Sequence, residues 1–345
     1  MKYTKEQEEY INYSKLEDTR LIACAGSGKS TSIIERLRFI TEEFKLGDDE
    51  ILILTFSRLT KDDFINKLKK QKVNIKEDSV KTIDSFAKSI IDKNNTIDVS
   101  LLSYKFMKYL EKVTTDERLE KIKIIFVDEA QDLNETQYNI LKLAKEKFDI
   151  KINLIGDPNQ NIYQFRGSSD KYLMSFNVKT FYLTYNFRSS ESMINFSKYL
   201  RPDQTTDIKV GDPLKKCNKP LILFHQNDEE LEHNIISIIK NSQKQKVNLK
   251  DIAILSATRG KMLNYGNSHG LCFISNVLYK NQIKFKQFYE ESKDEHGDNI
   301  KYEPEDECIN ILTCMGSKGL EWKHVILIDA EMCLINKSEF NEEKT

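Results

Sequence analysis

The chain has 345 residues, with 53 Lys+Arg against 54 Asp+Glu, a net charge of −1, 39% hydrophobic and 31% charged residues. That balance excludes a disordered polypeptide, and no apolar run approaches the roughly 20 residues that span a bilayer. At about 150 residues per domain the length predicts two domains, and the near-zero net charge, taken alone, argues against a polyanion partner. The first ten residues, MKYTKEQEEY, hold no apolar segment of signal-peptide type, and the six cysteines (24, 217, 272, 308, 314, 333) form no C-x-x-C pair. Reduced thiols in an intracellular, soluble protein are the expectation. The five histidines are scattered, without metal-ligand spacing.

In chain order, β-branched runs predict strands over 20–23, 50–56, 122–127, 150–155 and 180–184, with amphipathic helices over 30–44 and 58–70 between them. The stretch 100–121 has room for one or two helices. Continuous apolar strands separated by helices predict a parallel sheet covered on both faces. Three of the five prolines (202, 213, 220) fall in the polar stretch 201–220, which marks the passage to a second domain. There the pattern resumes, with strands over 221–224, 252–255, 283–288, 309–313 and 324–328 and helices over 229–241 and 273–280. The acidic stretch 290–307 reads as a solvated loop.

Two segments carry chemistry by their residues alone. Ala23-Cys-Ala-Gly-Ser-Gly-Lys-Ser30 follows a strand and opens a helix, the context of a phosphate-binding loop, with Ala23 where the general pattern has its first glycine. Gly26 and Gly28 permit the turns that aim successive N–H groups at a triphosphate, together with the start of the helix. On this reading Ala23, Cys24, Ala25, Gly26, Ser27, Gly28, Lys29, Ser30 and the adjoining Thr31 hold the nucleotide. Lys29 would reach the β- and γ-phosphates, and the Ser30 hydroxyl would ligate Mg2+. The second segment, Ile124-Ile-Phe-Val-Asp-Glu-Ala-Gln-Asp132, is an apolar strand ending in carboxylates. Asp128 would stand beside the Mg2+, and Glu129 would orient or deprotonate the attacking water. Together they imply hydrolysis of a nucleoside triphosphate. A P-loop kinase or GTPase remains an alternative at this point.

Further segments, in order, narrow the choice. Thr4-Lys-Glu-Gln7, Leu54-Thr-Phe-Ser57, Thr82-Ile-Asp-Ser-Phe86, Val127-Asp-Glu-Ala-Gln-Asp132, Gly156-Asp-Pro-Asn-Gln-Asn-Ile-Tyr-Gln-Phe-Arg-Gly167, Tyr185-Asn-Phe-Arg-Ser189 and Thr313-Cys-Met-Gly-Ser-Lys-Gly-Leu-Glu-Trp322 follow one another along the chain. In this order they resemble the motifs of a superfamily 1 DNA helicase of the UvrD/Rep/PcrA type. The resemblance implies an α/β fold of two RecA-like P-loop NTPase domains in tandem, at 1–183 and 184–345. It implies ATP with Mg2+ bound between them, and ATP-driven movement along single-stranded or partly duplex DNA, 3′ to 5′.

The roles it implies are specific. Gln7 reads the adenine edge, Gln160 senses the γ-phosphate, Phe187 stacks on the adenine and Arg188 is an arginine finger. A planar guanidinium suits the charge spread over a transferring phosphoryl group. Glu321 contacts the nucleotide from the second domain. Phe56, Phe86 and Phe165 are candidates for stacking on bases, with core packing the alternative for Phe56 and Phe86 above all. Thr55, Asp84, Thr313 and Lys318 are candidates for phosphate contact or for coupling domain closure to DNA. The basic run Lys67-Leu-Lys-Lys-Gln-Lys72 reads as a solvated helix end.

Two departures from the family pattern stand out. The gaps 86–128 and 288–309 leave no room for large accessory domains, which implies a nearly bare two-domain motor. After Glu321 there is no Thr-Arg-Ala-like segment of the sixth motif, so an incomplete second domain is expected, and a non-catalytic ATP- and DNA-binding remnant is the competing reading.

Overall fold

The computed structural model describes residues 3–92, 96–162, 167–198, 207–215, 217, 219–258, 270–288 and 303–330. It divides into two compact units, 1–220 and 221–345.

The first unit is built on a six-stranded parallel sheet of β1 (Thr19–Ala23), β2 (Ile51–Thr55), β3 (Val80–Thr82), β4 (Ile124–Val127), β5 (Lys151–Gly156) and β6 (Lys179–Leu183). Their order is β3-β2-β4-β5-β1-β6. Successive residues along each strand enter opposite cores. Ile51 and Ile53 of β2, with Ile124 and Phe126 of β4, face one core. Leu52 and Leu54, with Ile125 and Val127, face the other. This is why these segments read as unbroken apolar runs rather than as alternation. The three-residue β3 lacks such a run and was not expected from the sequence.

The helices are α1 (Lys5–Ile11), α2 (Lys29–Glu43), α3 (Arg58–Lys70), α4 (Ile83–Ile91), α5 (Val99–Lys112), α6 (Glu117–Lys121), α7 (Glu135–Phe148), α8 (Asp170–Met174) and α9 (Glu191–Lys198). Most begin on a side-chain cap: Thr4 for α1, Ser57 for α3, Thr82 for α4 and Asn134 for α7 each accept a backbone N–H of the first turn. α2 is different, for Gly28 at its start offers no side chain.

The expected boundary at 183/184 falls inside the first of these compact units. After β6 the chain returns to the first unit, where β7 (Tyr185–Asn186) pairs in parallel with β8 (Lys209–Val210). Cys24 N–H donates to Leu183 O at 3.1 Å and Phe187 N–H to Gly26 O at 2.9 Å. These bonds attach 184–188 to the phosphate-binding loop, and the compact units part only at 220/221.

The second unit holds α10 (Asp228–Lys244), β9 (Ile252–Ser256), α11 (Gly270–Lys280), β10 (Phe285–Gln287), β11 (Ile309–Thr313) and β12 (His324–Ile328), with a parallel sheet ordered β10-β11-β9-β12. Ile252, Ile254, Ile309 and Ile311 pack under Ile235 and Ile239 of α10 and Ile274 and Leu278 of α11. The strand expected over 221–224 is absent. Leu221 and Phe224 are exposed, and hydrophobic composition alone makes no strand without a neighbour to share its hydrogen bonds. Most of the acidic stretch 290–307 lies outside the described residues. No described helix is long and apolar enough to cross a membrane.

Candidate active site

Because every strand of the first sheet is parallel, the loops after β4, β5, β1 and β6 emerge at one edge, from four strands adjacent in the sheet. That edge is where ligands of open α/β sheets bind. Ile22 lies level with Gly156, Ala23 with Leu183 and Val127 with Leu154, so the loops start at nearly the same height.

Lys29, in the first turn of α2, points into the carboxylates that follow β4. Its Nζ is 2.8 Å from Asp128 and 2.5 Å from Glu129. Burial works against the charge of Lys29, but the two carboxylates outweigh it and hold the ammonium above its ordinary range. Burial, with Glu129 beside it, pushes the Asp128 carboxyl up against the opposing pull of Lys29. Glu129 adopts a left-handed backbone at φ 56°, uncommon for a residue with a side chain and concentrated at functional sites.

The network runs on through Gln131, whose Nε2 donates to Glu129 Oε2 at 2.6 Å and whose Oε1 accepts from Asp157 N–H at 3.1 Å. Asp157, its carboxyl pushed up by burial, accepts from Gln160 Nε2 at 2.7 Å. Side chains of three segments, joined through the Asp157 backbone N–H, therefore form one connected chain from Lys29 to Gln160.

The segment carrying Phe187 and Arg188 closes on the loop from the β6 side. Asn186 Oδ1 accepts from the N–H groups of Arg188 and Ser189, both at 2.8 Å, and so shapes the turn. Gly26 has φ 69°, and a Cβ placed there would lie 2.5 Å from Arg188 Cβ and 3.0 Å from Arg188 N. Only glycine permits both that conformation and that approach. The Phe187 ring stacks beside Tyr185, with centroids 6.4 Å apart, and lies over Gly211.

α1 straps these parts together, and its first turn explains how. In the reciprocal cap, Gln7 Oε1 accepts from Thr4 N–H at 2.9 Å, which leaves Gln7 Nε2 to donate to Ser27 O at 3.1 Å. Glu6 accepts from both the N–H and the hydroxyl of Thr184 at 2.7 Å. The buried Arg36 of α2 holds the other end of α1, donating to the carbonyls of Ile11, Tyr13 and Lys15.

Several expected contacts have other partners. Phe86 is buried in the core, edge-on to Phe106 at 5.4 Å, so its ring is not a stacking surface. The packing alternative is the one realised, because the helix face of α4 that carries it covers the sheet. Thr55 is buried and its hydroxyl donates to Ser57 O; Asp84 accepts from Ser103 of α5 at 2.6 Å. Thr313 Oγ1 accepts from Gly316 N–H at 3.0 Å. Phe56 is half-buried, and Phe165 lies outside the described residues. Lys318 and Glu321 sit in the loop after β11, in the second unit. Lys67 of the basic run is more than a solvated helix end: its Nζ pairs with Asp63 and lies 3.3 Å from Ser30 Oγ.

Sequence reading gave no role to Gln131, Asp157, Asn186, Glu6 or Arg36. The first four lie inside the quoted motifs, where their polar character was the available signal. Arg36 carried none, since helical arginines are usually solvated.

A family model for the UvrD/REP helicase N-terminal domain matches residues 3–95 and 91–180, together just over half of the chain. The chain belongs to the UvrD/REP helicase family. Its relatives include "Putative ATP-dependent DNA helicase R568" of Acanthamoeba polyphaga mimivirus, 38% identical over 99% of this chain and 50% of that protein. The ATP-dependent DNA helicase PcrA of Staphylococcus aureus is 28% identical over 53% of this chain and 26% of its own length. Among solved structures, the Pif1 helicase of Candida albicans aligns at TM-score 0.33 and 17% identity, over 53% of this chain and 39% of that one. The chain thus spans about half the length of the mimivirus relative, and less of PcrA.

Proposed function

We propose that the first unit is the ATP-binding and hydrolysing part of a DNA helicase or translocase motor, acting on single-stranded or partly duplex DNA. The observation that carries this reading is the connected network from Lys29 through Asp128, Glu129, Gln131 and Asp157 to Gln160, set before the start of α2. Phosphate binding at that start is supported by two features. No side chain caps α2, and Ser27 Oγ is buried with no hydrogen-bond partner among the described residues.

Ser30 and Asp128 offer the hard oxygen ligands that Mg2+ takes, and two suffice because this ion usually keeps several waters. They would hold it, and it would supply charge neutralisation for the β- and γ-phosphates. Lys29 adds a cation to the same phosphates. Glu129 receives the proton of the attacking water as the bond from the γ-phosphorus to the β–γ bridging oxygen breaks, and ADP leaves with the electron pair. Gln160 and the Arg188 guanidinium meet the γ-phosphate, while Gln7 and Phe187 hold the adenine. Lys318, Thr313 and Glu321 are the proposed contributions of the second unit. Movement 3′ to 5′ follows from the family resemblance.

The test is ATP turnover with and without single-stranded DNA, comparing the chain with Lys29→Ala. DNA-stimulated, Lys29-dependent turnover is expected, and its absence would sink the reading for this chain. Translocation assays on strands labelled at either end then decide the direction.

A further inference from the structure

We propose that Gln131 is a positioning residue of the reaction, one that holds the base Glu129 and the Gln160 loop in a single geometry. This rests on the roles given above to Glu129 and Gln160.

Gln131 is 0% exposed, and its carboxamide is used at both ends. The amide nitrogen faces the Glu129 carboxylate at 2.6 Å and the amide oxygen faces the Asp157 N–H at 3.1 Å. Each end meets the only kind of partner it can satisfy, so the orientation of the amide is set by its neighbours; flipped, it would oppose oxygen to carboxylate and N–H to N–H. Asparagine is one methylene too short to span the same partners, and a carboxylate supplies no donor to Glu129. The space for the amide is provided by Gly156, the last residue of β5, where a Cβ would lie 2.4 Å from Gln131 Oε1 and 3.2 Å from Gln131 N.

What the amide connects gives it consequence. On one side Glu129 is held between Lys29 at 2.5 Å and Gln131 at 2.6 Å, in a left-handed backbone that needs such support. On the other, Asp157 accepts from Asn159 N–H at 3.0 Å and from Gln160 Nε2 at 2.7 Å, so fixing its backbone fixes the turn presenting Gln160. Base and γ-phosphate contact lie on loops from different strands, and Gln131 bonds to the Glu129 carboxylate on one and to the Asp157 backbone, three residues before Gln160, on the other. A catalytic group displaced by about 1 Å can lose a hundredfold in rate.

The experiment measures ATP turnover of the chain, Gln131→Leu, Gln160→Ala and the double variant, with thermal melts to confirm folding. Gln131→Leu should lower kcat about ten- to a hundredfold with KM for ATP within about twofold of the parent. Added to Gln160→Ala it should cost less than its full factor in the parent, because the part that acts through Gln160 is already lost while the support of Glu129 is still there to lose. Gln131→Glu, which keeps an acceptor for Asp157 but sets a carboxylate against Glu129, should fall at least as far and serves if the leucine variant does not fold. An unchanged kcat, a loss expressed only in KM, or fully multiplicative effects would overturn the proposal. Amide exchange at Asp157, which should quicken in Gln131→Leu, reads the link without turnover, and unchanged exchange would also overturn it. A parent chain without Lys29-dependent turnover would instead remove the functional reading on which the catalytic role rests.

Discussion

β1 and β11 are both five-residue strands, and both run into glycine-bearing loops at the carboxyl edge of a parallel sheet. After β11 the bonds described are one to the neighbouring strand, Cys314 N–H to Ser256 O at 2.9 Å, and then short-range turns: Gly316 N–H to Thr313 Oγ1 at 3.0 Å, Lys318 N–H to Met315 O at 3.2 Å and Leu320 N–H to Ser317 O at 3.0 Å. After β1 the loop is held by partners far along the chain, namely Gln7, Glu129 and Phe187. The difference teaches what a prearranged site requires. Local turns set a backbone path, whereas aiming an ammonium, two carboxylates and two amides at one point takes contacts from several strands, with the sheet supplying the register.

The strongest break of this comparison is Lys29→Ala, which removes the centre of the long-range network. A fall in ATP turnover of at least about a hundredfold is expected, with the melting of the second unit unchanged. A small fall would mean that the network is only structural.

A pair of glycine substitutions sharpens the contrast directly. Gly26 and Gly319 have φ 69° and 83°, but an added Cβ at Gly26 meets Arg188, whereas at Gly319 it meets nothing within 4 Å. Gly319→Ala should therefore cost only the left-handed strain, about 1–2 kcal/mol. Gly26→Ala adds displacement of the Arg188 backbone to that strain, and should destabilise the first unit by more than about 2 kcal/mol. Urea melts followed unit by unit would measure both, and equal losses would refute the distinction.

Charge pairs give a smaller effect. Burial pushes the Asp116 carboxyl up, but Arg118, with donors at 3.0 and 2.6 Å, and Tyr109 at 2.7 Å overcome it and hold the pKa at about 2, below its ordinary 3.8. A carboxyl depressed in the folded state stabilises above the unfolded value and loses that contribution as pH falls towards the folded one. Asp116→Asn should thus cost the first unit about 1 kcal/mol at neutral pH once solvent screening of the pair is allowed for, with the difference from the parent vanishing between pH 3.8 and about 2. Acid titration of both proteins checks it. The exposed Lys284–Glu307 pair of the second unit, at 2.9 Å, is the least demanding case. Lys284→Ala should leave the melting of that unit unchanged within error, because solvent screens such pairs.

Much of this was legible in the residues because it is local. The strand–loop–helix of 23–30 and the apolar strands before Asp128 and after Ile150 are short-range patterns. What failed did so for want of a partner or of length. The run 221–224 has strand composition, but no neighbour pairs with it among the described residues. β3 has only three residues, too few to show a period. Phe86 looked equally suited to surface and core until α5 supplied Phe106. Residues 184–188 stay with the first unit because Phe187 N–H bonds Gly26 O, in a loop more than 150 residues earlier in the chain, a contact no window of sequence displays.

The sequence by itself determined the class of the protein, since glycines, lysine and carboxylates at set spacings from strand ends already dictate phosphate chemistry at the edge of a parallel sheet. Only the tertiary structure decided which side chains act together. Sheet order makes β4, β5, β1 and β6 neighbours although β2 and β3 intervene in the chain, and hydrogen bonds reach about 3 Å, so the bridge through Gln131 exists only once the strands have been set side by side.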